Sequence, residues 1–217
     1  MINLFQNRRQ AGRVLAQALK SKGIEFDLVM AVPRGGVVVG EEVAASFGKP
    51  LDVVMVKKFD DPCLPEYAIG AVTPDGEILL HEGIDKELVA RDHDEIMKLA
   101  ESIKNEINLR LKKFRNYHQP TAPKDRRILL VDDGIASGFT IKGAVSYLRR
   151  MKARQVFIAV PVCSSSAFAS LSKIVDEIIC LEIPPAFYAV GQFYHDFAGV
   201  EDSEVIESLT RISQASC

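Results

Sequence analysis

The chain has 217 residues, of which 47% are apolar and 26% charged, and its formal net charge is −2. These proportions are ordinary for a globular protein and exclude a disordered, collagenous or coiled-coil chain as a whole. The balanced charge excludes a broad basic surface for duplex nucleic acid, though not a local basic pocket, and no apolar run reaches the roughly 20 residues of a membrane span. Neither a nucleic-acid nor a membrane partner is therefore expected. The start, Met1 to Arg9, places its arginines after the first apolar residues, with no long apolar segment behind them, which is unlike a secretory signal. Cys63, Cys163, Cys180 and Cys217 form no CxxC pair and read as reduced thiols of a cytoplasmic protein. The length exceeds one ordinary domain slightly, so residues 1–217 read as a single domain with additions.

Residues 8–22 have the apolar spacing of an amphipathic helix, stopped by Gly23. Asp27 to Val32 is a short, β-branched apolar run, a buried strand, broken by Pro33-Arg34-Gly35-Gly36. A helix is predicted over 37–47 and a second buried strand over 51–56, ending in Lys57-Lys58. Residues 59–68 read as a loop, and Thr73-Pro74-Asp75-Gly76 between two apolar runs reads as a hairpin. A long helix is expected over 85–116. Its stripe of Ile96, Ala100, Ile103, Ile107, Leu111 and Phe114 would pack on the parent domain or on a second subunit. Further strands are predicted at 127–131, 155–160 and 177–181, with helices at 141–151, 165–172 and 202–212. Continuous apolar strands alternating with helices imply an α/β fold, a central mostly parallel sheet covered on both faces. An insertion of hairpin plus long helix at about 58–120 and a small aromatic C-terminal hood at about 183–217 complete it.

The chemistry concentrates in Leu130-Val131-Asp132-Asp133-Gly134-Ile135-Ala136-Ser137-Gly138-Phe139-Thr140. An apolar strand ends in two carboxylates, and a loop with two glycines and two hydroxyls then opens a helix. Parallel sheets bind ligands outside the carboxyl ends of their strands. Glycines allow close backbone approach, and free N–H groups at a helix start favour a phosphate. The acid pair would repel that phosphate, so it must serve a sugar diol, a metal ion, or both. GxxxxGK[ST], GxGxxG and GxSxG are all absent. The four histidines show no zinc-ligand spacing. An acid pair also ends a strand in receiver domains, but there on the first strand.

This stretch resembles the 5-phosphoribosyl 1-diphosphate (PRPP) motif of type I phosphoribosyltransferases. The strand followed by Pro33-Arg34-Gly35-Gly36 and a helix is similar to that family's diphosphate loop. The whole length looks like a less characterised bacterial and archaeal branch of the family. The resemblance implies that Asp132 and Asp133 hold the ribose 2′- and 3′-hydroxyls. It implies that Gly134, Ile135, Ala136, Ser137, Gly138, Phe139 and Thr140 cradle the 5′-phosphate. Arg34, Gly35 and Gly36 would meet the diphosphate, with Mg²⁺ held mainly by substrate and water and also by Asp132 and Asp133. Ala136 replaces an aspartate of the 6-oxopurine transferases, which turns expectation away from hypoxanthine and guanine.

The acid or base would then come from the loop at 57–70, with Glu66 as candidate. Lys57 and Lys58 are candidates for the diphosphate, and Phe187 and Tyr188 for stacking on a planar acceptor. The expected activity is transfer of the 5-phosphoribosyl group from PRPP to a nitrogenous base or related small acceptor, with release of diphosphate. The alternatives are a non-catalytic PRPP- or nucleotide-binding regulator and a PRPP or nucleotide hydrolase. The long helix suggests a homodimer.

Overall fold

The computed structural model describes residues 4–60, 68–81, 84, 93–116 and 119–215. Five strands form one parallel sheet: β1 (Leu28–Ala31), β2 (Leu51–Val53), β6 (Arg127–Val131), β7 (Gln155–Val162) and β8 (Glu177–Glu182), in the order β2-β1-β6-β7-β8. Met30 pairs with Leu130, Leu130 with Ile158, and Ile158 with Ile178. Alternate residues of each strand serve opposite faces. Val29, Ala31, Leu129 and Val131 face one core. Leu28, Met30, Ile128 and Leu130 face the other. Both faces are covered, which is why the strands read as unbroken apolar runs.

The first core is closed by helices α1 (Arg8–Lys22), α2 (Gly35–Phe47), α3 (His93–Phe114) and α6 (Asp202–Ala215). The second is closed by α4 (Phe139–Arg150) and α5 (Ser165–Leu171). Local chemistry sets the ends of α1. The Asn7 side chain accepts from the Gln10 N–H, and Gly23 takes the left-handed conformation (φ 66°) that terminates the helix.

A second, antiparallel sheet is built from β3 (Lys57–Asp60), β4 (Ala68–Val72) and β5 (Ile78–Leu80). The predicted hairpin is present, with Gly76 at φ 91° and its N–H donating to the Thr73 carbonyl. Arg150 of α4 grips the turn through two hydrogen bonds to Asp75, so the inserted sheet is fastened to a helix of the core.

Two predictions need correction. The second strand ends at Val53, and Lys57-Lys58 begin β3 rather than finish β2. The last helix, grouped with the hood from sequence, buries Val205, Leu209 and Ile212 in the main core, and its Arg211 and Ser208 bond Glu41 of α2. The apolar stripe of α3 is buried in the chain's own core, the first of its two expected covers. That long helix is described from His93 onward, and residues 85–92 lie outside the described ones. No described helix is long and apolar enough to cross a membrane.

Candidate active site

β1 and β6 are neighbours, so the loops leaving their carboxyl ends face each other. The loop at 33–36 comes from one and Asp132-Asp133 from the other. Between them lies a cavity of about 320 Å³ lined by Val32, Pro33, Arg34, Gly35, Met55, Val56, Asp132, Asp133 and Thr140. The two glycines allow the walls to approach. A Cβ on Gly35 would sit 1.9 Å from Asp133 Oδ2, and one on Gly36 2.9 Å from Asp132 Oδ1.

Each carboxylate commits one oxygen to the protein. Asp132 Oδ1 accepts from the Asp133 backbone N–H at 2.8 Å. Asp133 Oδ2 accepts from Arg8 Nε at 2.6 Å. The two carboxyls also hydrogen-bond each other. Burial, then the Asp133 charge, pushes the Asp132 carboxyl well above its ordinary range. Burial also raises Asp133, against the Arg8 hydrogen bond and charge. Such a pair gains from hydroxyl donors or from a cation. Its hard oxygens suit Mg²⁺. Among the described residues no group of three His, Cys, Asp or Glu could hold a metal alone. An ion here would complete its shell with substrate and water oxygens.

The loop behind the acids is fixed from the rear. Ile135 N–H donates to the Val162 carbonyl at 2.9 Å, and Ser164 Oγ donates to the Ala136 carbonyl at 2.5 Å. Gly138 (φ 75°) then turns the chain into α4, whose first N–H groups have no partner within the helix. Ala136 and Ser137 are exposed and Thr140 lines the cavity, while Ile135 and Phe139 are buried. Gly134 lies under the hood, where an added Cβ would sit 2.5 Å from Val190. Phe139 stacks on His81 of the inserted sheet at 3.8 Å, so its ring serves packing and not a ligand.

The remaining sequence candidates divide. Arg34 lines the cavity beside Gly35. Lys57 instead pairs with Glu106 of α3 at 2.6 Å, and Lys58 is exposed on β3. The chain leaves β2 early, so Met55 and Val56 occupy that stretch of cavity wall. Phe187 packs against Phe193 in the hood, whereas Tyr188 is 89% exposed. Glu66 lies outside the described residues.

Two further residues hold the acids in place. Arg8, from α1, is sandwiched between Asp133, the Ala198 carbonyl (2.8 Å) and the face of Phe197 (3.7 Å). Tyr194 donates its hydroxyl to the Asp133 carbonyl at 2.6 Å. Neither has a local signature, because each meets the site only through packing of distant segments.

Residues 3–198 match the phosphoribosyl transferase domain. The chain belongs to the phosphoribosyl transferase family. Two Mycobacterium tuberculosis relatives, from strains CDC 1551 / Oshkosh and H37Rv, are named "Putative phosphoribosyl transferase MT0597" and "Putative phosphoribosyl transferase Rv0571c". Each is 37% identical to this phosphoribosyl transferase chain over 214 residues, covering 97% of it and 47% of the relative. The chain thus spans about half the length of the curated relatives it matches. The crystal structure of TT1426 from Thermus thermophilus is also 37% identical, with a TM-score of 0.80, covering 97% of this chain and 99% of that one. The central parallel sheet with helices on both faces is therefore a phosphoribosyl transferase fold.

Proposed function

We propose that this chain transfers the 5-phosphoribosyl group from PRPP to a nitrogenous base or related small acceptor, with Mg²⁺ as cofactor, in the cytoplasm. The observation that carries the reading is the acid pair Asp132-Asp133. The two acids line one cavity together with Arg34, Gly35 and Thr140, and their burial and mutual repulsion favour hydroxyl donors or a cation between them. Two adjacent carboxylates match the two hydroxyl donors of a ribose 2′,3′-diol, and hydrogen bonds to charged acceptors are the strong kind. The backbone N–H groups opening α4, with Ser137 and Thr140, suit the 5′-phosphate.

In the reaction the acceptor nitrogen forms a bond to the ribose anomeric carbon. The bond from that carbon to the diphosphate oxygen breaks, and its electron pair leaves on diphosphate. A proton on the acceptor nitrogen passes to a base, for which Glu66 is the candidate. Positive charge grows on the ribose, beside Asp132 and Asp133. Negative charge grows on the diphosphate, beside Arg34 and the loop amides. Fixed charges aimed at both ends of the breaking bond are the dominant kind of catalytic stabilisation. Bound Mg²⁺ would neutralise the diphosphate oxygens. Tyr188, the most exposed aromatic among the described hood residues, is the candidate for stacking on the acceptor.

The test is calorimetric titration with PRPP and Mg²⁺, followed by a diphosphate-release screen over purines, pyrimidines and small aromatic bases. Binding that disappears in the Asp132→Asn, Asp133→Asn double variant is expected. Undiminished binding in that variant overturns the reading. Diphosphate release without any acceptor would redirect it to hydrolysis, and binding with no release under any condition to a regulatory role.

A further inference from the structure

Most arginines of the described chain meet at least as many carboxylates as they bring cations. Arg115 pairs with Asp52, Arg127 with Glu25 and Asp27, and Arg211 with Glu41 and Glu207. The amino end of α6 reverses that ratio. Asp202 alone faces three cations: Arg110 at 2.8 Å and Lys113 at 3.4 Å, both from α3, and Arg34 at 3.8 Å. Glu106, four residues before Arg110 on α3, pairs with Lys57. All three cations stay accessible, with side-chain exposures of 33%, 60% and 43% in the same order. Arg34 also lines the cavity that holds Asp132, Asp133 and Thr140. Arg34 is therefore the residue shared by that cavity and the cluster, and its contact to Asp202 is the longest of the three. Among the described residues, Asp202 is the one carboxylate in ion-pair contact with all three cations, of which Arg34 reaches the cavity.

We propose that Arg110 and Lys113 of the inserted helix, together with Arg34, form an anion subsite that takes a phosphoryl group, with Asp202 as the resident counter-ion that holds the three cations in its absence. The reading of the cavity as a PRPP site is the ground on which this stands. The chemistry fits either the diphosphate of PRPP or the phosphate of a separate effector. Lysine and arginine here would act differently. Arg110, oriented over the Phe114 ring, offers a planar fork, and Lys113 a mobile point charge. Asp202 is stabilised where it stands by the positive end of the α6 dipole, so a phosphoryl group competes with it rather than expelling it.

The experiment titrates the full chain with PRPP, inorganic diphosphate and ribose 5-phosphate, each with Mg²⁺, by calorimetry. Arg110→Gln and Lys113→Gln are each expected to weaken diphosphate by about five- to tenfold, with ribose 5-phosphate unchanged. Asp202→Asn is expected to tighten diphosphate several-fold, a gain that a purely structural ion cluster would not produce. Parallel loss of PRPP affinity in the α3 variants assigns the subsite to the substrate's diphosphate. Loss of a second, separate diphosphate-binding event with PRPP affinity intact assigns it to an effector. Diphosphate binding that is unchanged in both α3 variants and not tightened in Asp202→Asn overturns the subsite and leaves the PRPP reading standing. Failure of the unmodified chain to bind either PRPP or ribose 5-phosphate overturns that reading instead. Arg110→Lys, which keeps the charge, stands in if Arg110→Gln fails to fold.

Discussion

The two walls of the cavity are made in different ways. One is a single continuous segment, residues 131–140, running off the middle strand of the sheet. The other is assembled from the 33–36 loop with Met55 and Val56, and distant segments brace where it meets the acids, α1 through Arg8 and the hood through Tyr194 and Phe197. A continuous wall inherits its geometry from one strand, one loop and one helix start. An assembled wall depends on several segments docking correctly, so a substitution remote in sequence can move it.

The largest expected effect lies where the walls touch. Gly35→Ala would drive a methyl group to 1.9 Å from Asp133 Oδ2 and 2.7 Å from Arg8 Nε. The carboxylate must move by about an ångström or more, and displacement on that scale costs on the order of 100-fold at a functional site. PRPP affinity should fall by about that factor, and the melting temperature should fall with it, because the displaced carboxylate loosens its bond to Arg8. Normal affinity in Gly35→Ala would mean that the close approach of the walls is irrelevant to the ligand.

Arg8→Gln removes a cation from a well-buried carboxylate and breaks the clasp of α1 on the hood. Breaking a buried pair from one side costs about 3–5 kcal/mol. This pair retains some solvent access, so about 2 kcal/mol is expected in denaturant unfolding, with PRPP binding weakened roughly tenfold. Arg8→Lys should recover part of the stability and little of the binding, because an ammonium cannot serve Asp133, Ala198 and the Phe197 face together.

Glu41 ties the assembled wall to its scaffold. It sits on α2, directly behind the 33–36 loop, and bonds Arg9 of α1 and Ser208 and Arg211 of α6. Burial works to raise its carboxyl, but the hydrogen bonds from Arg211 and Ser208 and the Arg9 charge outweigh it and hold the group below its ordinary value. A carboxyl depressed in the folded state contributes stability that is complete above its unfolded value of about 4.5 and is lost as pH falls through the folded value. Glu41→Gln should cost about 1–2 kcal/mol at neutral pH. It should also flatten the acid limb of the stability–pH curve. An unchanged acid limb would show that Glu41 does not anchor this wall.

The same contrast explains what was legible in the sequence. The five-stranded sheet was readable because each strand is apolar on both faces, and the 131–140 wall because its acids, glycines and hydroxyls are contiguous. Arg8 lies 125 residues from Asp133, and nothing local to Arg8-Arg9 marks it as part of a site. Lys57 and Lys58 misled for the converse reason: adjacency to a strand end does not fix direction when the chain turns away into a second sheet. The stripe of α3 declared that something covers it, and only the fold shows that the cover is the chain's own core.

Tyr194 gives the smallest and most discriminating effect. Its hydroxyl is the hood's direct polar link to the acid pair, donating to the Asp133 carbonyl at 2.6 Å, and burial raises its pKa far enough to keep the proton in place. Tyr194→Phe deletes that donor and leaves the ring packed against Phe5 and Phe197. The loss is about 1 kcal/mol in stability, since one neutral hydrogen bond is removed and its carbonyl acceptor stays partly satisfiable. If the hood only covers the acids, PRPP affinity should fall by no more than a few-fold, because the Asp133 carboxylate keeps its Arg8 contact. A fall approaching that of Gly35→Ala would show instead that the hood sets the backbone of the acid pair. The continuous wall would then be no more self-sufficient than the assembled one.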